Sequence, residues 1–388
     1  MNIAYHYCAI KALARSAGFR QEEAQIIAEY SQFVDDFNLN SVIETVWAPQ
    51  IALDIGLTKK LSEEHKYSTE FVMTGFRNSI DYLKILRERA QNRMVVPFHF
   101  ILKNQMNSNN MNDVTEPADL KGNHLIGNLL RYIESDIIDN ERYGRPLTRD
   151  QLIRLGMILH VFADTYAHQK FSGRNNPKNK YTITHAVKNN PTGMEPTDVT
   201  REYQGLYSWL PPIGHAWVSH APDDTFLDFR MVHKDTGEAH QRSNINLFVQ
   251  VSRIIFESFK RMSGTLFRPP NFSDIEQKLR NAFLVTNSEE KLSDMMKGWG
   301  DQFKNIGDID FSYDREAILR RMLPKLRHLE TDTVLSDSEF LELINKEPNE
   351  LTGEIPSERY AAEVTPEFWE FMINAYEIRA VAVDKSLL

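Results

Sequence analysis

Apolar residues recur at helical spacing from residue 3 to about 17, at Ile3, Tyr7, Ile10, Leu13 and Ala14, and Gly18 follows as a natural helix stop. A second helix is expected over about 21–37. The pattern between 38 and 79 is mixed, with β-like fragments such as TEFVMTGF (69–76), before a charged helix from Ile80 to about Asn92. In VVPFHFIL (95–102), Pro97 argues for a loop or an edge segment.

Residues 104–116, rich in Asn, Asp and Ser, read as a surface loop, and helices are expected at about 120–140 and 148–170. The second of these opens on a capping box, Thr148 with Gln151 three residues on. The stretch 172–240 reads as largely irregular, with a hairpin around Lys234, Asp235, Thr236 and Gly237. An amphipathic helix returns at 243–262. Beyond Phe267-Arg268-Pro269-Pro270, helices alternate with polar turns at about 273–285, 289–303, 314–323, 336–345 and 366–383. The expected fold class is mainly α: a multi-helix bundle with long loops in residues 1–264, and a helical accessory region in 265–388. Amphipathy in the last helix suits docking on the body of the protein.

Composition narrows the chemistry. Among 388 residues, 45 basic against 54 acidic side chains give a net charge of −9, which disfavours a broad nucleic-acid surface. One cysteine, Cys8, excludes a disulfide framework and any Cys-rich zinc module, so a metal would be held by His, Asp and Glu. No stretch approaches the ~18 apolar residues of a membrane span, and the first residues lack a signal-peptide pattern. The expected location is cytoplasmic, or outside the cell by a route without a cleaved signal.

Placement of the histidines carries the functional reading. HVFADTYAH sets His160, Asp164 and His168 at i, i+4 and i+8 of a helix, within roughly an 80° sector but ~12 Å apart end to end. Two histidines so far apart do not share an ion. An aspartate bridging two metals, with one histidine on each, fits the spacing; a buried hydrogen-bonded ladder fits it as well. GHAWVSHAPD adds His215, His220 and Asp223, and PFHF adds His99. His6 and the Asp35-Asp36 doublet lie on two helices joined by a short turn, whose antiparallel packing brings them together. Arg174, Lys178 and Lys180 follow the metal helix and either steer an anionic substrate or form a solvated loop. Trp217, Phe98 and Phe100 flank the ligand candidates and suit either ligand contact or packing.

In this order the residues resemble the zinc-dependent phospholipase C and P1/S1 nuclease superfamily, mostly helical hydrolases with three zinc ions in a cleft. The matching positions are His6, Asp35 or Asp36, His99, His160 and Asp164 with His168, and His215 with a carboxylate such as Asp223, all within about residues 1–225. A closer likeness is to an uncharacterised group of bacterial proteins sharing the HY, VDD, PFHF, H-x-x-x-D-x-x-x-H and GH…H-x-P-D landmarks. The secreted superfamily members also use a mature N-terminal amine, space the third helix ligand further from the aspartate, and place the last pair one helical turn apart. Here Ser219 stands one turn after His215, and either His220 substitutes as a ligand or one metal position is lost.

The resemblance implies two or three divalent ions, zinc first, and a phosphoester substrate, phospholipid or nucleotide. Whichever of Asp35 and Asp36 is not a ligand would orient the attacking water. A second reading is a helical effector or interaction scaffold with a structural metal, with 265–388 as a partner or dimer surface. An HD-type phosphohydrolase is disfavoured because the chain contains no His-Asp dipeptide.

Overall fold

In the computed structural model of the protein, the first helix begins as a π-helix, Ala4–Ala9, and continues as α1, Ile10–Ala17, closed by Gly18 at φ 113°. That left-handed stop needs a residue without a Cβ. The structure describes residues 2–39, 42–62, 66–75, 85–106, 114–191, 194–204, 208–263, 270–285, 291–306, 309–345 and 359–383. Helix α2, Gln21–Asp36, carries Asp35 and Asp36 in its last turn. Strands β1 (Val42–Thr45), β2 (Thr58–Lys60) and β3 (Tyr67–Glu70) follow, so only Thr69 and Glu70 of the β-like fragment lie in a strand.

The start of the helix expected at 80–92 lies outside the described residues, as does most of the loop expected at 104–116. The segment expected to be a loop or edge around Pro97 is instead helical. A second π-helix, Gln91–Val95, runs into α3, Val96–His99, and Pro97 falls in the first turn of α3, where a helix tolerates its missing N–H.

Helices α4 (Leu125–Arg142) and α5 (Arg149–Ala167) complete the frame of the site. The capping box forms as read: Gln151 N–H donates to Thr148 Oγ1 at 3.2 Å and Thr148 N–H to Gln151 Oε1 at 3.0 Å. α5 is buried on almost every face, as its near-continuous apolar sequence requires. Gly156 lets it touch α2, because a Cβ there would collide with the Ile27 carbonyl.

Residues 172–240 are not largely irregular. β4 (Tyr181–Lys188), β5 (Thr197–Asp198), β6 (Leu227–His233) and β7 (Ala239–Ser243) form an antiparallel sheet in the order β5-β4-β6-β7. In β6 the buried positions are Leu227, Phe229, Met231 and His233, a period-2 pattern legible in the sequence. The turn around Gly237, at φ 72°, joins β6 to β7 as expected.

α6 (Asn244–Met262) precedes residues 264–269, where the expected boundary lies outside the described residues. The remainder comprises α7 (Phe272–Val285), α8 (Leu292–Phe303), α9 (Arg315–Met322), β8 (Lys325–His328), α10 (Asp337–Asn345), β9 (Arg359–Glu363) and α11 (Pro366–Ala382). Strand β9 pairs in parallel with β1, giving a five-stranded mixed sheet in the order β2-β3-β1-β9-β8. α11 docks on α2 through Phe371, whose ring lies 4.9 Å from Phe37 and 5.2 Å from Phe33. The expected mainly-α bundle is therefore corrected to an α/β mix, 54% helix and 14% strand with two sheets. Pairing of strands more than 300 residues apart leaves no local signal. No helix of the described residues is long and apolar enough to cross a membrane.

Candidate metal centre

Five segments deliver the side chains. His6 sits in the first π-helix, Asp35 at the end of α2, His99 at the end of α3 after the second π-helix, and His160 and Asp164 inside α5. A π-turn holds an extra residue and re-aims the side chains that follow, a device frequent at functional sites. His168 is the C-cap of α5, and a loop supplies His215 and Asp223. Gly214, at φ 56°, precedes His215 closely packed on Phe100: a Cβ would stand 2.6 Å from Phe100 Cζ.

Around Asp164 the donors converge. His6 Nε2 is 3.1 Å from Oδ1, while His99 Nδ1 and His160 Nε2 are 3.2 and 3.4 Å from Oδ2. Asp35 closes the group, its Oδ1 3.6 Å from both His99 and His160 and its Oδ2 4.0 Å from His6. A second group lies beside the first: His168 Nε2 is 3.0 Å from Asp223 Oδ1, and His215 Nε2 is 3.2 Å from Asp223 Oδ2. Three sets lie within metal-binding distance: His6-His160-Asp164 and Asp35-His99-His160, which share His160, and the separate His168-His215-Asp223. A tetrahedral ion with bonds of about 2.0–2.1 Å separates its donors by roughly 3.3 Å.

The far nitrogens fix the tautomers. His160 Nδ1–H donates to Ser31 O (2.8 Å), His99 Nε2–H to Thr74 O (2.8 Å), His168 Nδ1–H to His99 O (2.6 Å) and His215 Nδ1–H to Ser219 O (2.7 Å). A carbonyl only accepts, so each of these nitrogens carries the proton, and in a neutral ring the opposite nitrogen offers a lone pair inward. His160 Nε2 and His99 Nδ1 face each other at 3.4 Å beside two carboxylates, and His99 Nδ1 also lies 3.2 Å from Asp164 Oδ2. His6 stacks on His160 with ring centres 3.8 Å apart, and its buried Nδ1 has no hydrogen-bond partner.

Without an ion, electrostatics place His6, His215, Asp164 and Asp223 in the forms a metal needs, and push Asp35 and His99 the other way. Burial, with His160 nearby, holds His6 well below the usual imidazole range, and burial brings His215 down to about 4. Burial works against charge on Asp164 and Asp223, yet positive charge from the chain's N-terminal amine and from neighbouring histidines, His168 first for Asp164, holds both carboxyls well below the ordinary range. Burial, with Asp164 adding to it, raises Asp35. For His99 burial opposes protonation, but the bond to Asp164 and the charge of Asp35 raise it overall. Neutral imidazoles and ionised carboxylates are the ligand forms of these residues.

Of the ten residues read from sequence, eight meet here. Asp36 does not: its Oδ2 accepts from Tyr313 Oη at 2.6 Å and from Gln32 Nε2 at 3.2 Å. His220 is exposed and belongs to none of the three sets. His168 turns its Nδ1 to the His99 carbonyl and its Nε2 to Asp223, so Asp164 lies between His6 and the His99-His160 pair. Asp223 fills the place that Ser219 leaves open, and Ser219 serves through its carbonyl. Arg174 is buried on Asn92 and Glu88, and Lys180 pairs with Asp235, so neither is an unpaired anion guide. Phe98 is core, Phe100 stacks on His168 at 4.5 Å, and Trp217 is buried with its Nε1–H on Leu210 O.

Arg242 was not foreseen. Its guanidinium donates to Ala167 O at 2.5 Å and to Pro222 O at 2.9 Å, tying the Asp223 loop to the end of α5. Burial brings that guanidinium down to about 9 against the pull of Asp223. A lone arginine in a polar strand carries no local signal of this.

The chain belongs to a family of unknown function, DUF6765, which matches residues 1–361. No curated protein and no solved structure matches it.

Proposed function

We propose that the chain is a metal-dependent phosphoester hydrolase, with at least two zinc-type ions held by His6, Asp35, His99, His160 and Asp164 and by His168, His215 and Asp223. The observation that carries this reading is the convergence of imidazole nitrogens and carboxylate oxygens, four of the rings held at their far nitrogens by backbone carbonyls, a set that a cation among them would stabilise. An all-nitrogen and oxygen donor set suits zinc and other borderline divalent ions. When bound, such ions polarise a phosphoryl oxygen and acidify a nearby water.

The protein's own share is positional. Asp35, with 28% of its side chain exposed, is the most open of these donors and borders a cleft, whereas His6, His160 and Asp164 are sealed. Asp36, bonded to Tyr313 and Gln32, does not take the water-orienting role on this reading, and Asp35 would have to combine it with holding an ion.

The sealing of His6, His160 and Asp164 also favours a second reading, a structural metal in an interaction scaffold, since closed sites are the structural kind. Metal-replete protein assayed on bis(p-nitrophenyl) phosphate and on phosphatidylcholine, with the His160→Ala/Asp164→Ala double variant as control, separates the two. Metal-dependent turnover that the double variant lacks supports the hydrolase; bound metal without turnover supports the scaffold.

A further inference from the structure

Between His168 and β4 the chain runs through SGRNNPKNK (172–180), where Asn and Pro favour turns. The Asn176 side chain accepts from Lys178 N–H at 3.0 Å, and Pro177 opens a single 3₁₀ turn, Pro177–Asn179. That turn brings Asn179 back to the start of its own loop, with its side chain fully buried.

Both ends of the Asn179 amide are engaged. Oδ1 accepts from Ser172 N–H at 2.7 Å, and Nδ2 lies 2.8 Å from Ser172 O, 2.9 Å from Arg174 O and 2.9 Å from Pro212 O. A backbone N–H donates and a carbonyl accepts, so the amide orientation is settled, and the three carbonyls share its two N–H groups. One side chain thus supplies the pairing that a helix or strand would otherwise give these buried backbone groups.

The two segments that it ties together each lead to a metal donor. Ser172 lies four residues after His168, and Pro212 lies three before His215. They also meet directly, Gly214 N–H donating to Ser172 O and Asn176 N–H to Pro212 O, both at 2.9 Å. His168 and His215, with ring centres 4.9 Å apart, stand at a helix C-cap and in a loop, so no continuous helix or strand sets their spacing. The Asn179 clamp joins the two backbones that do.

We infer that Asn179 is a positioning residue of the His168-His215-Asp223 group, fixing the spacing of His168 and His215 through the loop backbone, a role that rests on the metal reading above and not on hydrolysis. It touches neither an ion nor a substrate.

The test is zinc affinity of full-length protein in competition with a chromophoric chelator, where the step that His168→Ala abolishes marks the ion of its group. Asn179→Ala is expected to weaken that step by at least about tenfold and to leave the other within about threefold. Ser258→Ala, which removes a buried hydrogen bond to Glu134 between α6 and α4, is the control for lost stability and is expected to leave both steps in place. Loaded with cobalt, Asn179→Ala is expected to shift the visible bands of that ion, which report its donor geometry, and Ser258→Ala is not. An unchanged step and unchanged bands in folded Asn179→Ala overturn the role, as does equal weakening of both steps.

Wild-type protein gives a second measure that does not need the variant to fold. Coupling is reciprocal, so the Ser172, Asn176 and Gly214 amides are expected to exchange hydrogen with solvent at least about tenfold more slowly in zinc-loaded than in metal-depleted protein. Equal exchange overturns the role. No zinc step in wild type removes the metal centre and the role with it; zinc steps without phosphoester turnover remove the hydrolase and leave the role standing.

Discussion

His168 donates its Nδ1 proton to the backbone carbonyl of His99 across 2.6 Å, so a donor of one metal group is oriented by the main chain of a donor of the other. Partners of this kind typically set metal affinity by about 10–100-fold. His168→Ala is expected to lose about one equivalent of zinc and to weaken the retained ion by about tenfold, read by elemental analysis and a competing chelator. Unchanged affinity at the remaining site would show the two groups to be independent.

Gly156→Ala inserts a methyl group where α5 meets the Ile27 carbonyl of α2. Overpacking of this sort costs about 1–3 kcal/mol, and the same separation draws His160 Nδ1 off Ser31 O. Denaturant unfolding and zinc content should therefore fall together, while alanine at the exposed Gly144, at φ 64° but with open space around it, should leave zinc content intact.

Arg242→Gln leaves the Ala167 and Pro222 carbonyls short of donors and loosens the Asp223 loop. A loss of about 1–3 kcal/mol is expected, with metal lost from the His168-His215-Asp223 group alone. Retention of full metal content would remove Arg242 from the positioning of that loop.

Lys11 is buried, donating to Tyr7 Oη at 3.1 Å, to Gln25 Oε1 and to Asp310 O. Burial pushes its ammonium down to about 8 from 10.5. A base whose folded value is depressed opposes folding while charged in both states, and that opposition fades as pH rises from about 8 towards 10.5. The stability of wild type relative to Lys11→Met should accordingly climb with pH across this window, a comparison in which ionisation of Cys8 and the tyrosines cancels. A flat difference in chemical unfolding would disprove it.

Stripping with a chelator at neutral pH should lower the midpoint of thermal unfolding, and zinc should restore it. At one hundred times the dissociation constant, binding to the folded state alone adds about 2.7 kcal/mol. Calorimetry with and without zinc checks this; identical transitions would remove metal from the folded state altogether.

Eight site residues were legible because their side-chain types are rare in apolar surroundings and recur at spacings that helices convert into one face, as His160 and Asp164 do. Asp36 was misplaced because adjacent residues of a helix point about 100° apart, and only Asp35 turns inward. His220 entered through the GHAWVSHAPD segment, as a substitute where Ser219 stands one turn after His215, although the turn that brings Asp223 back to His215 leaves it outside. The carbonyls of Ser31, Thr74, His99 and Ser219 that orient the imidazoles have no sequence signature, since every residue has one. β4 pairs with β6 inside a stretch that reads as irregular, although β6 itself alternates; the β1–β9 pairing leaves no signal in any local window.

That last pairing has a bearing on synthesis. β1 is made early and β9 near the end of the described chain, so β1 offers an unsatisfied edge while most of the protein is translated, with every metal donor already emerged. Those donors can thus meet on a nascent chain before the residues from Tyr313 to Asn345 that line the cleft have been made. Closure of the mixed sheet is then the late, slow event, and the step at which a stalled or shortened chain is most exposed to aggregation.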